Sequence, residues 1–259
     1  MIKNYSTHPA SIETSNLLSI RVWMQIWIHV LCGVCTLSFI FPFLSQANKD
    51  RKIQQWSKRL LFIFNMELRV HGADLLENTP HLIAANHISW LDIHVINSFK
   101  PIRFVAKSEV AAWPIFGWMA KQLGTVFIRR DSARHARQVV GQMADVLNTE
   151  SVCIFPEGTS TIGEIVLPFK PNLFESAILA GVPVYPLAIC YLSKSTGRRS
   201  DVPGFIGEMG LLESMSNIIK NRSLVAQITI LAPPTVSDML DMDRKKLAVY
   251  CQESISKTL

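Results

Sequence analysis

The feature that most constrains the fold is an alternation of short apolar runs with helical patterns, which begins at Met66 and continues toward the C-terminus. Strands separated by helical segments usually lie parallel in one sheet, because a parallel pair needs a long crossover that a helix can supply. We therefore expect an α/β domain with a mostly parallel central sheet of about seven strands covered by helices. The predicted strands span residues 66–70, 81–85, 102–106, 125–128, 152–155, 182–189 and 225–231.

Three helices within this domain have recognisable faces or ends. Residues 132–148 form an amphipathic pattern with one continuous apolar face. Asn172 and Glu175 have the spacing of a capping box, and Gly181 is placed to end the helix that they open. The last helix is predicted over residues 243–259.

Ahead of this domain lies an uncharged stretch, residues 23–44. At about 1.5 Å per residue, a helix of this length covers roughly 33 Å, enough to cross the hydrocarbon core of a bilayer. An N-terminal hydrophobic membrane-anchoring helix is therefore expected. Gln25 and His29 lie one turn apart and give one face some polarity, so a helix lying in one leaflet is an alternative. A buried core helix is the third possibility.

The charges around this stretch predict its orientation. Lys3 and Arg21 precede it, whereas a larger basic cluster follows it: Lys49, Arg51, Lys52, Lys58 and Arg59. This excess of positive charge predicts that the C-terminal side faces the cytoplasm, from the inner membrane. Residues 1–60 are thus expected to form the anchor with its basic juxtamembrane segment, and residues 61–259 the α/β domain.

The chain has a net charge of +6, which predicts a polyanionic partner. An anionic lipid surface and a phosphorylated small molecule both fit this charge. The sequence has neither a zinc-finger pattern nor a long basic tail, so nucleic acid is not expected as a partner. Five scattered cysteines, an odd number, argue against a disulfide framework.

The first motif with chemical content is Asn86-His87-x-x-x-x-Asp92, which follows the predicted strand 81–85. Polar residues at the carboxyl end of such a strand lie where open α/β sheets carry their sites. Residues five apart point in different directions on a regular helix, so His87 and Asp92 can meet only across a loop-to-helix junction. There Asp92 can bind Nδ1 of the imidazole and leave Nε2 as a base. Alternatively, Ser89 and Asp92 form a capping box and His87 is an ordinary loop residue.

Two further motifs follow predicted strands. Arg129 and Arg130 come after the strand 125–128, and alternation along a strand directs only one of the two toward a site, where a guanidinium suits a phosphate or carboxylate. The turn Phe-Pro-Glu-Gly-Thr-Ser at 155–160 carries Glu157, whose carboxylate can accept a hydrogen bond from a substrate hydroxyl. Each motif also has a simpler explanation, a solvated strand end and a polar turn.

A fourth motif, Val-Pro-Val-Tyr-Pro at residues 182–186, contains Pro183 and Pro186. Each proline removes a backbone hydrogen-bond donor, which is unusual in a central strand. We therefore expect this strand at a sheet edge or a bulge, or lining a tunnel.

In this order and spacing the four motifs resemble those of the glycerolipid acyltransferase family, typified by the 1-acylglycerol-3-phosphate acyltransferases. The resemblance covers about residues 66–235 and is specific, because each motif is weak alone but four in register are not. It implies that the catalytic residues of an acyltransferase domain are His87 and Asp92. It also implies that the substrates are bound by Asn86, Arg130, Glu157, Gly158 and Thr159, and that the acyl chain is served by Val182, Pro183 and Pro186.

The chemistry implied by this resemblance is acyl transfer without a covalent acyl-enzyme. His87, oriented by Asp92, would remove a proton from the free hydroxyl of a lysophospholipid as it attacks the thioester of acyl-CoA or acyl-carrier protein. Backbone amides near the junction helix are expected to bind the oxyanion. No cofactor or metal is expected beyond this co-substrate, and His94 has no evident set of metal ligands around it.

The chain departs from the family pattern at Ser160, where many phosphatidate-forming members have arginine, and this position bears on the acceptor. Arg130 and Lys107, which follows the strand 102–106, remain as cations for a phosphate. The first expectation is therefore 1-acylglycerol-3-phosphate, which would give phosphatidic acid. Loss of a charge-assisted contact of about 1.5–3 kcal/mol favours instead a headgroup of lower charge, such as a lyso-ornithine lipid or another lysophospholipid.

Two other classes of protein compete with this interpretation. A membrane-bound thioesterase or lipase needs a nucleophile, and the chain has no G-x-S-x-G elbow. An inactive lipid-binding protein is the second rival, and the presence of His87, Asp92 and Glu157 together argues against it.

Overall fold

The computed structural model describes residues 16–129, 133–235 and 242–259. Within these residues the chain forms a seven-stranded sheet, as the alternation of apolar runs predicts. The strands are β1 (Met66–His71), β2 (Leu82–Ala85), β3 (Arg103–Lys107), β4 (Val126–Ile128), β5 (Val152–Ile154), β6 (Val184–Ser193) and β7 (Leu224–Ile230). Their order across the sheet is β1-β7-β6-β2-β5-β3-β4.

The prediction of a mostly parallel sheet is confirmed. β6, β2, β5, β3 and β4 run parallel to one another, whereas β7 is antiparallel to β6 and parallel to β1. The five parallel strands all end at one edge of the sheet, called here the carboxyl edge. Residues that end or follow these strands therefore come together there, among them His87, Lys107, Arg129 and Phe155.

Eight α-helices lie in the described residues. They are α1 (Asn16–Phe39), α2 (Gln46–Ile63), α3 (Leu91–Phe99), α4 (Phe116–Gln122), α5 (Ala133–Leu147), α6 (Glu175–Ala180), α7 (Leu211–Lys220) and α8 (Arg244–Thr258). α8 begins as predicted, because the carboxylate of Asp243 accepts hydrogen bonds from two backbone N–H groups of its first turn. Gly181 ends α6 in the left-handed conformation, with φ of 65°. The capping box expected at Asn172 is not formed, because a short 3₁₀ turn, Pro171–Phe174, precedes α6.

The sheet separates two hydrophobic layers. β2 contributes alternate residues to the two layers, because successive side chains on a strand point to opposite faces. In the first layer α1, α2, α3 and α7 pack on the sheet, with buried residues that include Ile26, Leu61, Leu91, Ile96 and Ile218. In the second layer α5, α6 and α8 pack on the other face, with buried residues that include Val139, Met143, Leu147, Ala177 and Cys251.

α1 and α2 form a helical hairpin, joined by a 3₁₀ turn at Phe41–Phe43. The indole N–H of Trp56 in α2 donates to the carbonyl of His29 in α1, with 3.4 Å between the atoms. Apolar residues of both helices belong to the first layer, among them Val22, Ile26, Val30, Leu60 and Ile63. α1 is thus long and apolar enough to cross a membrane, yet one of its faces packs on the domain. The division expected at residue 60 falls inside α2, and the hairpin shares a core with the sheet.

β6 is an interior strand, which contradicts the edge or bulge expected for the proline motif. β6 pairs with β2 along residues 184–187 and with β7 along residues 187–193. Pro183 precedes the strand, and Pro186 comes just before the ladder with β7 begins. Pro186 lies opposite Ala84 of β2, but its carbonyl accepts from the N–H of Leu231, so its nitrogen faces the end of β7 and the ladder with β2 loses no donor.

Candidate active site

The loop between β2 and α3 places the histidine and the aspartate of the first motif side by side. β2 ends at Ala85 and α3 begins at Leu91, so His87 lies in the loop and Asp92 in the first helical turn. Nδ1 of His87 and Oδ2 of Asp92 are 2.8 Å apart. The loop-to-helix junction that the spacing predicts is therefore formed.

Asp92 is buried, and both of its carboxylate oxygens accept hydrogen bonds. Besides the imidazole, Oδ2 accepts from the backbone N–H groups of Ile88 and Ser89, at 2.7 and 2.9 Å. Oδ1 accepts from the hydroxyl of Tyr191, at 2.7 Å. The contact with the N–H of Ser89 is the one that a capping box makes. The Asp92 carboxylate thus makes both contacts that the sequence suggests, the capping contact with the N–H of Ser89 and the contact with the imidazole of His87.

His87 is fixed through its ring and through its backbone. The imidazole stacks on the ring of Phe155, with 4.1 Å between centroids and an interplanar angle of 18°. The backbone N–H donates to Oε1 of Glu157 at 2.7 Å, and the carbonyl accepts from the N–H of Thr161 at 2.9 Å. The side chain is still 23% exposed, so a substrate can reach a ring whose orientation is set in advance.

Glu157 is buried, and backbone amides occupy both of its oxygens. Oε1 accepts from His87, and Oε2 accepts from the N–H of Leu167 at 2.9 Å. Burial raises the pKa of Glu157 above its ordinary value, while the hydrogen bonds from Leu167 and His87 oppose that shift. The carboxylate therefore ties the turn after β5 to the catalytic loop. The hydrogen bond to a substrate hydroxyl that the sequence suggests stays a prediction.

The rest of the turn after β5 contacts a second loop. Gly158 has φ of 72°, a left-handed conformation that favours glycine, and Thr159 is exposed. The hydroxyl of Ser160 donates to the carbonyl of Phe205, and the N–H of Phe205 donates to the carbonyl of Ile88 at 2.9 Å. The loop that carries Phe205 thus holds the turn and the catalytic loop together.

The remaining residues of the first and fourth motifs lie inside the fold. The amide nitrogen of Asn86 donates to the carbonyl of Ile189 in β6 at 3.0 Å, and its oxygen accepts from the N–H of Ile189 at 2.7 Å. This pairing continues the contact between β2 and β6 beyond the end of β2. Val182 and Pro186 are buried, with Val182 in the second hydrophobic layer, and Pro183 is half-buried. Substrate or acyl-chain contacts for these residues stay predictions.

Lys107 and Arg129 are basic residues at the carboxyl edge. Lys107 is exposed at the end of β3, and Arg129 is exposed just after β4. Arg130, which the family pattern favours for binding phosphate, lies outside the described residues. Among the residues that the structure describes, no group of three or more His, Cys, Asp or Glu side chains could hold a metal ion.

Two adjoining cavities lie between the helical hairpin and the sheet. The smaller has a volume of about 170 Å³ and a largely apolar wall that includes Trp90, Trp113, Phe116 and Met215. The larger, of about 270 Å³, shares Trp56 and His94 with it. Phe104 lines the smaller cavity and stacks on Phe155, with 6.0 Å between centroids. Because Phe155 in turn stacks on His87, the smaller cavity begins two aromatic rings from the imidazole.

Sequence reasoning missed Tyr191 and Phe205, which both contact the catalytic loop or its helix. Tyr191 is 99 residues from Asp92 along the chain, so no local spacing links the two. The signal for Tyr191 was that the apolar run continues past the predicted strand 182–189 through Leu192, because a phenol buried in a longer strand needs a partner for its hydroxyl. For Phe205 the sequence carries no comparable signal.

Comparison with known proteins identifies a family. The family model described as Acyltransferase matches residues 67–190. A lyso-ornithine lipid O-acyltransferase from Pseudomonas aeruginosa is 36% identical over 216 residues, which cover 82% of this chain and 79% of that protein. A 1-acyl-sn-glycerol-3-phosphate acyltransferase from Neisseria meningitidis is 36% identical over 210 residues, which cover 80% of each chain.

The fold is shared as well. The crystal structure of the 1-acyl-sn-glycerophosphate acyltransferase PlsC from Thermotoga maritima matches with a TM-score of 0.67 and 21% identity, over 93% of both chains. At this identity the likeness shows the fold alone. The family model and the two relatives show a likeness in sequence as well, and the residues matched by the family model include His87, Asp92 and Glu157. The chain therefore belongs to the acyltransferase family.

Proposed function

We propose that this acyltransferase moves an acyl group from a thioester to the free hydroxyl of a lysolipid, with His87 as the general base. The observation that carries the proposal is the 2.8 Å contact between Nδ1 of His87 and Oδ2 of the buried Asp92. Because the carboxylate holds Nδ1, the other ring nitrogen, Nε2, is the one that can take a proton.

His87 takes up and releases one proton in each reaction, and so returns to its neutral form. Nε2 of His87 takes the hydroxyl proton while the hydroxyl oxygen bonds to the thioester carbon. The tetrahedral intermediate then collapses, the carbon–sulfur bond breaks, and the leaving thiolate receives the proton from Nε2. Acyl-CoA or acyl-carrier protein supplies the thioester, and the products are the acylated lipid and the free thiol.

The oxyanion of the tetrahedral intermediate needs donors other than the first amides of the catalytic loop. The N–H groups of His87, Ile88 and Ser89 donate to carboxylates, and that of Leu91 donates to the hydroxyl oxygen of Ser89 at 3.3 Å. Each of these four N–H groups already has an acceptor within the protein, so they are not free to bind the oxyanion as expected for amides of the junction. The exposed Lys107 at the carboxyl edge offers a cation for this charge.

The smaller cavity beside the hairpin is the proposed site for the acyl chain of the donor. Its apolar wall begins two rings from His87, and each methylene buried there contributes about 0.8 kcal/mol. The cavity lies in the first hydrophobic layer, on the other side of the sheet from Val182. This position favours the residues of α1–α4, α7 and β3 that line the cavity, over the proline motif, as the contacts of the acyl chain.

For the acceptor, the geometry best supports a lysolipid whose headgroup carries no phosphomonoester, such as a lyso-ornithine lipid. The hydroxyl of Ser160 is taken up by the carbonyl of Phe205, so this position offers a headgroup neither a cation nor a free donor. The Pseudomonas relative is named for this acceptor. 1-Acylglycerol-3-phosphate is the second candidate, which the Neisseria relative and the exposed Lys107 favour.

The test offers the purified protein both acceptors with one acyl-CoA and measures kcat/KM for each. We expect the wild type to prefer the lyso-ornithine lipid. Ser160→Arg should shift the preference toward 1-acylglycerol-3-phosphate by roughly tenfold to a hundredfold, because it adds a charge-assisted contact of about 1.5–3 kcal/mol. A wild type that prefers the phosphate acceptor would establish the second candidate instead.

The matched control is Thr159→Arg, which adds the same charge at the neighbouring exposed position. Equal shifts in Ser160→Arg and Thr159→Arg would mean that net charge, and not the position of Ser160, selects the acceptor. Acyl-CoA is also incubated without a lysolipid. Consumption at an undiminished rate would identify a thioesterase or lipase and reject acyl transfer.

The helical hairpin is proposed to lie in one leaflet of the cytoplasmic membrane, with the domain on the cytoplasmic side. The face of α1 that carries Val22, Ile26 and Val30 is packed in the domain core, so a helix crossing the bilayer would have to leave that core. The opposite face and the hairpin tip are apolar and exposed, with Phe43 86% exposed. Exposed basic residues of α2 are placed to meet anionic headgroups: Arg51, Lys52, Lys58 and Arg59.

Flotation with anionic vesicles tests this placement. Phe43→Asp should weaken binding, because it puts a charge at the tip that enters the lipid. Val249→Asp, at an exposed apolar position of α8 in the other layer, is the control and should bind like the wild type. A wild-type protein that stays in the soluble fraction rejects the anchor. Protease cleavage of the C-terminus from the periplasmic side would reject the orientation.

A further inference from the structure

Tyr191 lies in β6, and its hydroxyl donates to Oδ1 of Asp92 at 2.7 Å. Both side chains are buried, with Tyr191 1% exposed and Asp92 not exposed at all. We propose that Tyr191 is a positioning residue, which sets the orientation of the Asp92 carboxylate and the strength of its hydrogen bond to His87. The proposal rests on the function of His87 as general base given above.

The tyrosine hydroxyl completes the set of donors around the carboxylate. Oδ2 receives three N–H groups, from the imidazole of His87 and from the backbone of Ile88 and Ser89, all within one short loop. Tyr191 belongs to a different element and holds the other oxygen. The carboxylate therefore cannot rotate without breaking a buried hydrogen bond, which is costly. The direction in which Oδ2 meets Nδ1 of His87 is fixed by contacts on both oxygens.

The same hydrogen bond changes how strongly Asp92 attracts a proton on His87. A donor on Oδ1 draws negative charge away from Oδ2 and so weakens the attraction between the carboxylate and the imidazolium form of His87. His87 is a base only while it is neutral. Loss of the tyrosine hydroxyl should therefore stabilise the imidazolium form and move the acidic limb of the pH–rate profile to higher pH.

The other titratable groups around Asp92 do not replace this contact. Burial and the charge of Asp92 raise the pKa of the Cys153 thiol in β5, so that group stays neutral. Glu157, after β5, accepts backbone N–H groups with both oxygens. Burial and the charge of Asp92 also raise the pKa of Tyr191 well above its ordinary value. The phenol thus remains a donor over the whole range in which a histidine base works.

The test replaces Tyr191 with phenylalanine in the full chain, which removes the hydroxyl and keeps the ring. The matched control is Tyr185→Phe, because Tyr185 lies in the same strand and is equally buried, but packs on His81 with 5.3 Å between ring centroids. For the wild type and both variants, kcat and KM are measured across pH with one acyl-CoA and one lysolipid. Melting temperatures show that the variants are folded.

For Tyr191→Phe we expect kcat to fall about tenfold to a hundredfold, as for a small displacement of a catalytic group, with KM near the wild-type value. Its acidic limb should move to higher pH, whereas that of Tyr185→Phe should stay in place. If the limb of Tyr191→Phe coincides with the wild-type limb, or if Tyr185→Phe moves it equally, Tyr191 makes only a structural contact. Full activity of His87→Ala would instead reject the general base, and with it the proposed function.

Discussion

Replacing Glu157 with glutamine is expected to weaken the fold and the catalytic loop together. Glutamine keeps one acceptor oxygen but replaces the other with an NH₂ group, which cannot accept a hydrogen bond. Either the N–H of His87 or that of Leu167 then faces another donor inside the protein. The substitution should therefore break an internal contact and not a contact with the lysolipid.

The expected loss of stability follows from the strength of the hydrogen bond that is broken. A hydrogen bond to an ionised group contributes about 1.5–3 kcal/mol to stability. For a chain of this size each kcal/mol corresponds to roughly 2–4 °C, so the melting temperature should fall by about 3–12 °C. Where the N–H of His87 is the group left unpaired, the ring shifts, and a displacement of about 1 Å can lower kcat by about a hundredfold. The KM for the lysolipid should stay close to that of the wild type.

Thermal unfolding in detergent and steady-state kinetics on the same preparation measure both effects. The matched control is Glu164→Gln, the same change at an exposed position of the following loop, which should alter neither quantity. A Glu157→Gln variant with an unchanged melting temperature and a raised KM for the lysolipid alone would refute this reasoning. Glu157 would then bind the substrate directly.

Three further changes test the site and the core. His87→Ala should lower the rate about a hundredfold to ten-thousandfold with little change in melting temperature, and a variant with normal turnover in the acyl-transfer assay would exclude His87 as the base. Asp92→Asn keeps an oxygen for the donors on Oδ2 but loses the charge, so the main effect should be a fall in turnover, with a smaller effect on the melting temperature. A lower melting temperature with normal turnover would mean that Asp92 only caps the helix. Burial lowers the pKa of His94 to about 3, whereas the unfolded chain takes up this proton near pH 6.5. Stability should therefore decrease as pH falls below about 6.5, by up to about 1.4 kcal/mol per pH unit from this residue, and thermal unfolding of His94→Phe should lack that part of the slope. Equal slopes in the wild type and His94→Phe would contradict a His94 that stays neutral in the folded protein.

The parts of the site that are local in sequence could be predicted from it. His87 and Asp92 are five residues apart, and the geometry of one loop-to-helix junction decides whether they meet. The sequence could not choose between a catalytic pair and a capping box, because the same carboxylate oxygen makes both contacts. The alternation of strands and helices likewise predicted the mostly parallel sheet, since each run is short and its period is local.

The parts that depend on distant pairing could not be predicted. The place of β6 inside the sheet is set by its pairing with β2 and β7, and neither register can be read from the proline motif. The contact between Tyr191 and Asp92 follows from that register. The two backbone groups that Glu157 accepts from, those of His87 and Leu167, lie 70 and 10 residues away along the chain, so the turn motif alone could not identify them.

The hairpin made by α1 and α2 cannot be treated as a removable tether. Its inner residues Val22, Ile26, Val30 and Leu60 fill the same core as the strands, so truncation at residue 60 would uncover an apolar surface on α3 and the sheet and promote aggregation. Protein engineering toward a water-soluble enzyme would have to retain both helices. Such a design would exchange only the outward residues of α1 for polar ones, namely Leu17, Ile20, Met24, Trp27, Ile28 and Leu31.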